Sequence, residues 1–361
     1  MAVTSEVEKR SVSKVAPGAN GAEDPGKGQC ERDRLRMMML IRRFEEKTEQ
    51  AYKTPRKLPD GTKAQLIGGF CHLYSGQEAI AVGIAAVFNK GLDALVNGYR
   101  CHGHSLALGM DPRAAIAELF GKETGCSKGK GGSMHLFQAD VGNHGGHGIV
   151  GGHIPLGLGM AFAQSYKKSG GVTYCLFGDG AINQGTFNEA LNMASLLKVP
   201  AIFIVENNGV AMGTQVERHS AEKDLAKRGC GFNMPHYHVD GNDVDVVMEE
   251  MKKAADRARR GEGPCYISAD TFRFRGHSTS DPLKYRTKEE AEKAKLRDPI
   301  TLYETRLREK GLLSDEQQTA LEEGVAEEVN RAFEVAEADP NPPLDSRFDD
   351  ALAETYPYQP K

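Results

Sequence analysis

The sequence predicts an α/β fold, doubly wound around a mainly parallel sheet, with a helical carboxyl-terminal part. Three observations carry this expectation. First, Val172-Thr-Tyr-Cys-Leu-Phe177 is an apolar run of strand length, Phe187, Ala190, Leu191, Ala194 and Leu197 recur at helical spacing, and Ala201-Ile-Phe-Ile-Val205 follows Pro200 as a second strand. Second, the alternation repeats, with a strand over 235–240, a helix over 243–260 and a strand over 264–272. Third, Asp298-Pro299 reads as an N-cap with proline at the first helical position, and Ser314 with Gln317 forms a capping box ahead of Leu321, Val325, Val329 and Phe333.

The first unit carries polar residues at the carboxyl ends of both strands, Gly178-Asp179-Gly180 and Glu206-Asn207-Asn208. In an open parallel sheet that edge is where ligands bind, and a right-handed crossover lets Asp179 and Asn208 face one point. A carboxylate and a carboxamide oxygen are hard donors that suit Mg²⁺ or Ca²⁺ rather than zinc, and so small a set would be completed by phosphate oxygens and water. The flanking glycines let a diphosphate approach the backbone and the amino end of the next helix. Alone, either residue reads as a turn residue satisfying backbone groups. Together, Gly-Asp-Gly followed after twenty-six residues by Asn-Asn resembles the Mg²⁺-diphosphate motif of thiamine-diphosphate enzymes.

Composition bounds the rest. The chain has 361 residues, no tryptophan and a formal charge of −4, and no apolar run reaches membrane-spanning length, which argues against a nucleic-acid surface or a membrane span. Residues 1–30 mix Ser, Gly, Pro, Lys and Glu without periodicity and read as a disordered arm ahead of a single domain over 31–361. Glu6, Glu8, Glu23 and Asp24 argue against a transit peptide and no apolar core marks a secretory signal, so a cytoplasmic protein is expected. Seven cysteines without a Cys-x-x-Cys pair suggest free thiols in a reducing compartment. Cys71-His72 and Cys101-His102 look like metal ligands, but adjacent residues on a strand point to opposite faces, which weighs against zinc.

Residues 31–52 form an amphipathic helix with Leu35, Met38, Ile41 and Phe44 on one face, a core or interface stripe. A further helix is expected up to about Phe88. His72, taken alone, reads as a half-buried histidine. Tyr99-Arg100 ends a short strand beside a glycine turn, where an Arg suits a phosphate as well as a surface ion pair. Residues 121–132 resemble a phosphate loop and miss its spacing, since Lys130 is followed by Gly131. Gly146-His-Gly148-Ile-Val-Gly151 matches the dinucleotide fingerprint, yet 141–145 is a poor strand and no acidic residue lies about twenty positions on. These glycines are expected to bring backbone close to some other flat polar ligand. Residues 155–168 form a helix with small Gly157, Gly159 and Ala161 for close packing, and 209–228 is a polar segment. Arg273-Phe-Arg-Gly-His277 again delivers Arg, Gly and His at a strand end. From Gly311 onward thirteen acidic residues face three basic ones, a solvated face.

From about Glu31 to the end the sequence resembles the alpha subunits of the pyruvate dehydrogenases, in the thiamine-diphosphate-dependent 2-oxo acid dehydrogenase family. The resemblance is carried by Phe70-Cys-His-Leu-Tyr, Gly98-Tyr-Arg, Gly129-Lys-Gly-Gly-Ser-Met-His135, Gly148-Ile-Val, Gly178-Asp-Gly-Ala-Ile-Asn-Gln-Gly185, Glu206-Asn-Asn208, Met212-Gly-Thr and Arg273-Phe-Arg-Gly-His-Ser-Thr-Ser-Asp-Pro282. It implies a thiamine-diphosphate-binding fold. It further implies that Asp179, Asn208 and the Val210 carbonyl hold Mg²⁺, and that Tyr99, Arg100, Arg273 and His277 contact the diphosphate with backbone at Gly180 and Ala181. Gly148 and Val150 would meet the aminopyrimidine through their backbones, and Met212 would wedge the cofactor into its bent form. His72 and His277 would donate hydrogen bonds or protons to the 2-oxo acid substrate.

The implied reaction decarboxylates pyruvate and transfers the acetyl group to a lipoyl domain of an acyltransferase core. The glutamate that activates the cofactor belongs to a beta subunit in this family, so the resemblance implies an α₂β₂ heterotetramer and a chain inactive alone. Val210 stands where many members have tyrosine, which a carbonyl ligand tolerates. Residues 283–286 lack a serine of mammalian members, and Ser278 matches a regulatory phosphoserine of theirs without implying that control here. Acetoin and branched-chain 2-oxo acid dehydrogenases use the same half-site, although 129–135 looks like the pyruvate and acetoin types. An NAD-binding dehydrogenase would rest on 146–151 alone, and a non-catalytic scaffold subunit is the third alternative.

Overall fold

The computed structural model describes residues 28–57 and 60–349. The arm expected over 1–30 lies outside them except at its end, where the first helix already begins at Gln29. Among the described residues eleven α-helices are numbered along the chain: α1 (Gln29–Lys53), α2 (Glu78–Ala85), α3 (His102–Ala107), α4 (Pro112–Leu119), α5 (Ile154–Lys167), α6 (Gly185–Leu197), α7 (Val216–His219), α8 (Val244–Arg259), α9 (Lys288–Lys295), α10 (Pro299–Glu309) and α11 (Asp315–Ala338). None is long and apolar enough to cross a membrane.

Six strands form the central sheet: β1 (Ala94–Gly98), β2 (Asn143–His147), β3 (Thr173–Gly178), β4 (Ala201–Asn207), β5 (His236–Asp240) and β6 (Cys265–Asp270). They lie in the order β2-β1-β3-β4-β6-β5, and every pairing is parallel. Strand β3 shows why its apolar run is unbroken: Tyr174 and Leu176 face a core shared with α2 and α8, while Cys175 and Phe177 face one shared with α5 and α6. A strand covered on both faces has no polar side to display. The sheet is therefore doubly wound, as expected. Gly157 of α5 is small because a Cβ there would lie 2.8 Å from Cys175 Sγ, whereas Gly159 faces away with nothing within 4 Å.

A third core lies beside the sheet, where the α1 residues Leu35, Met38, Ile41 and Phe44 pack with α4, α10 and α11. The expected caps form: Asp298 accepts from Ile300 N–H, and Ser314 and Gln317 make the capping box of α11.

Three expectations need correction. Residues 141–145, read as a poor strand, lead into edge strand β2, which pairs Gly146 with Asn97 and His147 with Gly98. Polar anchoring replaces propensity there, since buried Asn143 donates to Ser105 Oγ at 2.9 Å and accepts from Gly145 N–H. Neither Cys-His pair lies on a strand either: Cys71 and His72 belong to the irregular segment before α2, and Cys101 is the N-cap of α3. Burial pushes the Cys71 thiol up strongly and that of Cys101 to about 12. Helix α2 also stops at Ala85, short of Phe88.

The glycine-rich loop over 121–132 does cradle an anion, but the anion is its own. The buried Glu118 carboxylate accepts N–H groups from Ser127, Gly129, Gly131 and Gly132 at 2.7–3.0 Å. Glu118→Ala strands four donors and is expected to cost about 3 kcal/mol or more, read as a lower urea midpoint with earlier proteolysis of the loop.

Candidate active site

The strand order sets the carboxyl ends of β1, β3 and β4 side by side. Around them, the segment before α2, the turn after β2 and the loop after β6 enclose a cavity of about 880 Å³. His72, Tyr99, Arg100, Gly148, Val150, Asp179, Gly180, Ala181, Asn208, Val210, Met212, Arg273 and His277 all line it, so residues spread over most of the chain meet in one place.

Asp179 is 2 % exposed at the end of β3. Its Oδ1 accepts from Gly180 N–H at 3.0 Å, while Oδ2 is buried without a hydrogen-bond partner. Burial raises its carboxyl above the usual range, opposed chiefly by His219. A carboxylate kept dry and half satisfied is suited to a cation. Gly180 is small by necessity, since a Cβ would lie 2.8 Å from that of Ala211 on the ribbon that pairs Val210–Ala211 with Thr214–Gln215. The Asn208 amide donates to Gln77 Oε1 at 3.1 Å, which turns its oxygen the other way, toward Val210 N at 3.4 Å.

Two arginines stand over this floor. Arg100 donates to the Leu73 and His277 carbonyls at 2.6 and 2.8 Å, joining the Tyr99 cluster to the Arg273 cluster. Burial, with Arg273 next, pulls its guanidinium down to about 10, so it remains charged at neutral pH. Arg273 donates to the Met212 carbonyl and to Tyr285 Oη, whose hydroxyl donates to Asp281 at 2.7 Å. Met212 itself is held at φ 57°, a residue 64 % exposed that lines the cavity. A left-handed backbone at a long apolar residue is strain that the Arg273 contact helps to hold.

The rings of His72 and His277 lie 5.1 Å apart, and Tyr99 is 4.5 Å from the first and 5.6 Å from the second. Both Nδ1 atoms are buried without partners. Burial first, then Arg100, pulls His72 down to about 2 and His277 to about 4, so both rings are neutral at pH 7. His153, whose Nε2–H donates to the Leu176 carbonyl at 2.7 Å, is likewise lowered to about 4 by burial.

In the unfolded chain these three rings bind protons near pH 6.5, so from there down to about 4 the unfolded state holds more protons and stability rises with pH. Asp179, with a raised carboxyl, opposes them as one group against three. Urea midpoints are expected to climb from pH 4.5 to 6.5 and to flatten above 7, and His153→Asn should make the climb shallower.

Sequence reasoning missed several residues that shape the site. Tyr74 donates to Glu206 in a buried contact, and His104 Nε2 lies 2.9 Å from the same oxygen. Gln77 aims Asn208 and Tyr285 braces Arg273. Their spacing carries no periodic signal, because each acts across a gap between distant segments. The segment over 209–228, read as polar apart from the roles of Val210 and Met212, supplies the ribbon, α7 and His219.

The NAD fingerprint begins inside strand β2, yet its Gly148 and Val150 line the same cavity as Asp179 and Arg273. Comparison with known proteins identifies the family. The family model described as dehydrogenase E1 component matches residues 36–345. The pyruvate dehydrogenase E1 component subunit alpha of Rhizobium meliloti is 46 % identical over 318 residues, 88 % of each chain. That of Zymomonas mobilis is 42 % identical over 353 residues, 96 % of this chain and 97 % of its own. The testis-specific mitochondrial form of Rattus norvegicus is 43 % identical over 312 residues, 86 % of this chain and 76 % of its own. With the match spanning the whole sheet, the cavity and the carboxyl-terminal helices, the chain belongs to the dehydrogenase E1 component family.

Proposed function

We propose that this chain is the alpha subunit of a thiamine-diphosphate-dependent enzyme that decarboxylates pyruvate and passes the acetyl group to a lipoyl domain. The observation that carries the reading is the dry, half-satisfied Asp179 carboxylate beside Asn208, in a cavity walled by two arginines and two neutral histidines. Asp179, Asn208 and the Val210 carbonyl would hold Mg²⁺. Tyr99, Arg100, Arg273 and His277, with backbone at Gly180 and Ala181, would take the diphosphate. Gly148 and Val150 would meet the aminopyrimidine, and Met212 the bend of the cofactor. Bound thiamine diphosphate supplies the electron sink that decarboxylation requires. His72 and His277 present unpartnered Nδ1 atoms that can hold or move a proton at the carboxylate or keto oxygen of the 2-oxo acid.

The acidic groups of this cavity are already committed. Asp179 is assigned to the metal, Glu206 is bound by Tyr74 and His104, and Asp281 accepts from His277 N–H and Tyr285. No cavity carboxylate among the described residues remains to activate the aminopyrimidine, which supports a beta subunit as its source. The cavity mouth suits a partner surface, with apolar Phe70, Val150 and Met212 lining it and exposed. The proposed assembly is an α₂β₂ heterotetramer attached to a lipoyl-bearing acyltransferase core, and seven unpaired cysteines suit the cytoplasm.

The test is to assay the chain, co-expressed with its beta subunit, against pyruvate, 2-oxoisovalerate, 2-oxoglutarate and acetoin with an artificial electron acceptor. The highest kcat/KM is expected for pyruvate. A higher value for another compound would overturn the substrate, and no cofactor-dependent turnover with any would overturn the reading.

A further inference from the structure

We infer that His219 is a positioning residue of the cation site, its Nε2–H holding the Asp179 carboxylate. The inference rests on the assignment of Asp179 to the metal. Asn183 closes the turn that begins at Asp179, and its Oδ1 accepts from Arg228 Nη2 at 3.0 Å. A guanidinium only donates, so this contact fixes which end of the amide is oxygen. The Asn183 Nδ2 then lies 3.0 Å from His219 Nδ1 and donates to it, and the Ser220 hydroxyl, also at 3.0 Å, can donate to the same nitrogen. Nδ1 is thereby an acceptor, which leaves Nε2 to carry the ring N–H.

That Nε2 is buried and has no partner, and it lies 4.0 Å from Asp179 Oδ2, which is also buried and has no partner. An orphaned donor faces an orphaned acceptor across a gap that a ring shift of about 1 Å would close to a hydrogen bond. Three residues from three segments of the chain converge to set one tautomer, and the ring they orient faces the carboxylate expected to bind the ion. Hydrogen bonds behind a ligating carboxylate fix its direction and tune its affinity.

The experiment uses the assembly with the beta subunit and titrates Mn²⁺, followed by electron paramagnetic resonance, in the presence of thiamine diphosphate. His219→Ala is expected to raise the Mn²⁺ dissociation constant about 10- to 100-fold, with an unchanged unfolding midpoint. His219→Gln, whose amide N–H reaches toward the same oxygen, is expected to return most of that affinity, which a role in packing alone would not predict. Asp179→Ala serves as the reference. If it loses Mn²⁺ while His219→Ala binds like the unaltered protein, the role of His219 is overturned and the metal site stands. Equal losses in the Ala and Gln variants would overturn it as well. If Asp179→Ala itself binds Mn²⁺ normally, the metal assignment beneath the inference falls.

Discussion

Asp179→Ala, assembled with the beta subunit, is expected to lose more than about 100-fold in affinity for Mg²⁺ and thiamine diphosphate together, because even partners outside the ligand shell cost 10- to 100-fold. The loss should appear in both titrations, since the diphosphate and the carboxylate would share the ion. Fold is not at risk: Asp179 accepts a single hydrogen bond, from the next residue, and its raised carboxyl shows that burying it charged costs stability. The unfolding midpoint of the variant without cofactor should therefore equal or exceed that of the unaltered chain. Cofactor binding close to the unaltered level would refute the metal site.

His277→Ala is expected to lower kcat by about 10²-fold or more, a larger effect than the rise in the thiamine diphosphate dissociation constant from losing one of four side chains assigned to the diphosphate. The backbone of His277 frames the site independently of its ring, its carbonyl accepting from Arg100 at 2.8 Å and its N–H donating to Asp281 at 2.6 Å. Alanine keeps both contacts and deletes only the imidazole. Because His72 lies 5.1 Å away, ring to ring, the two alanine variants should be non-additive, the double variant losing less than the product of the single losses. Steady-state kinetics and cofactor titration on the same preparations decide the matter, and unchanged turnover excludes the role.

Legibility differed by residue for physical reasons. The unit from Val172 to Asn208 could be read directly because apolar periodicity is set by the layers that cover a strand, and β3 and β4 are covered on both faces. Asp179 and Asn208 were legible because a strand end and a glycine turn fix where such residues point. Strand β2 was not, because Asn143-His-Gly-Gly-His147 has no strand-forming side chain and is held by its neighbour and by polar anchors at Asn143. Glu118 looked like one more helical acid, and its role depends on a loop that returns to it nine to fourteen positions later. His219 gave no signal, since its proton is placed by Asn183 and Arg228 through contacts that no spacing rule records.

The order of the strands bears on how the chain emerges during synthesis. Strands β4 and β5 appear before β6, yet they never pair with each other: β6 inserts between them, with Ile202 against Cys265 and Tyr237 against Ile267. Until residues 265–270 arrive, the strand that carries Asn208 at its end keeps one row of N–H and C=O groups open, and β5 keeps another. Nascent chains are vulnerable to association through such edges. The strand that leads into Arg273 is thus also the one that covers the open edge of β4.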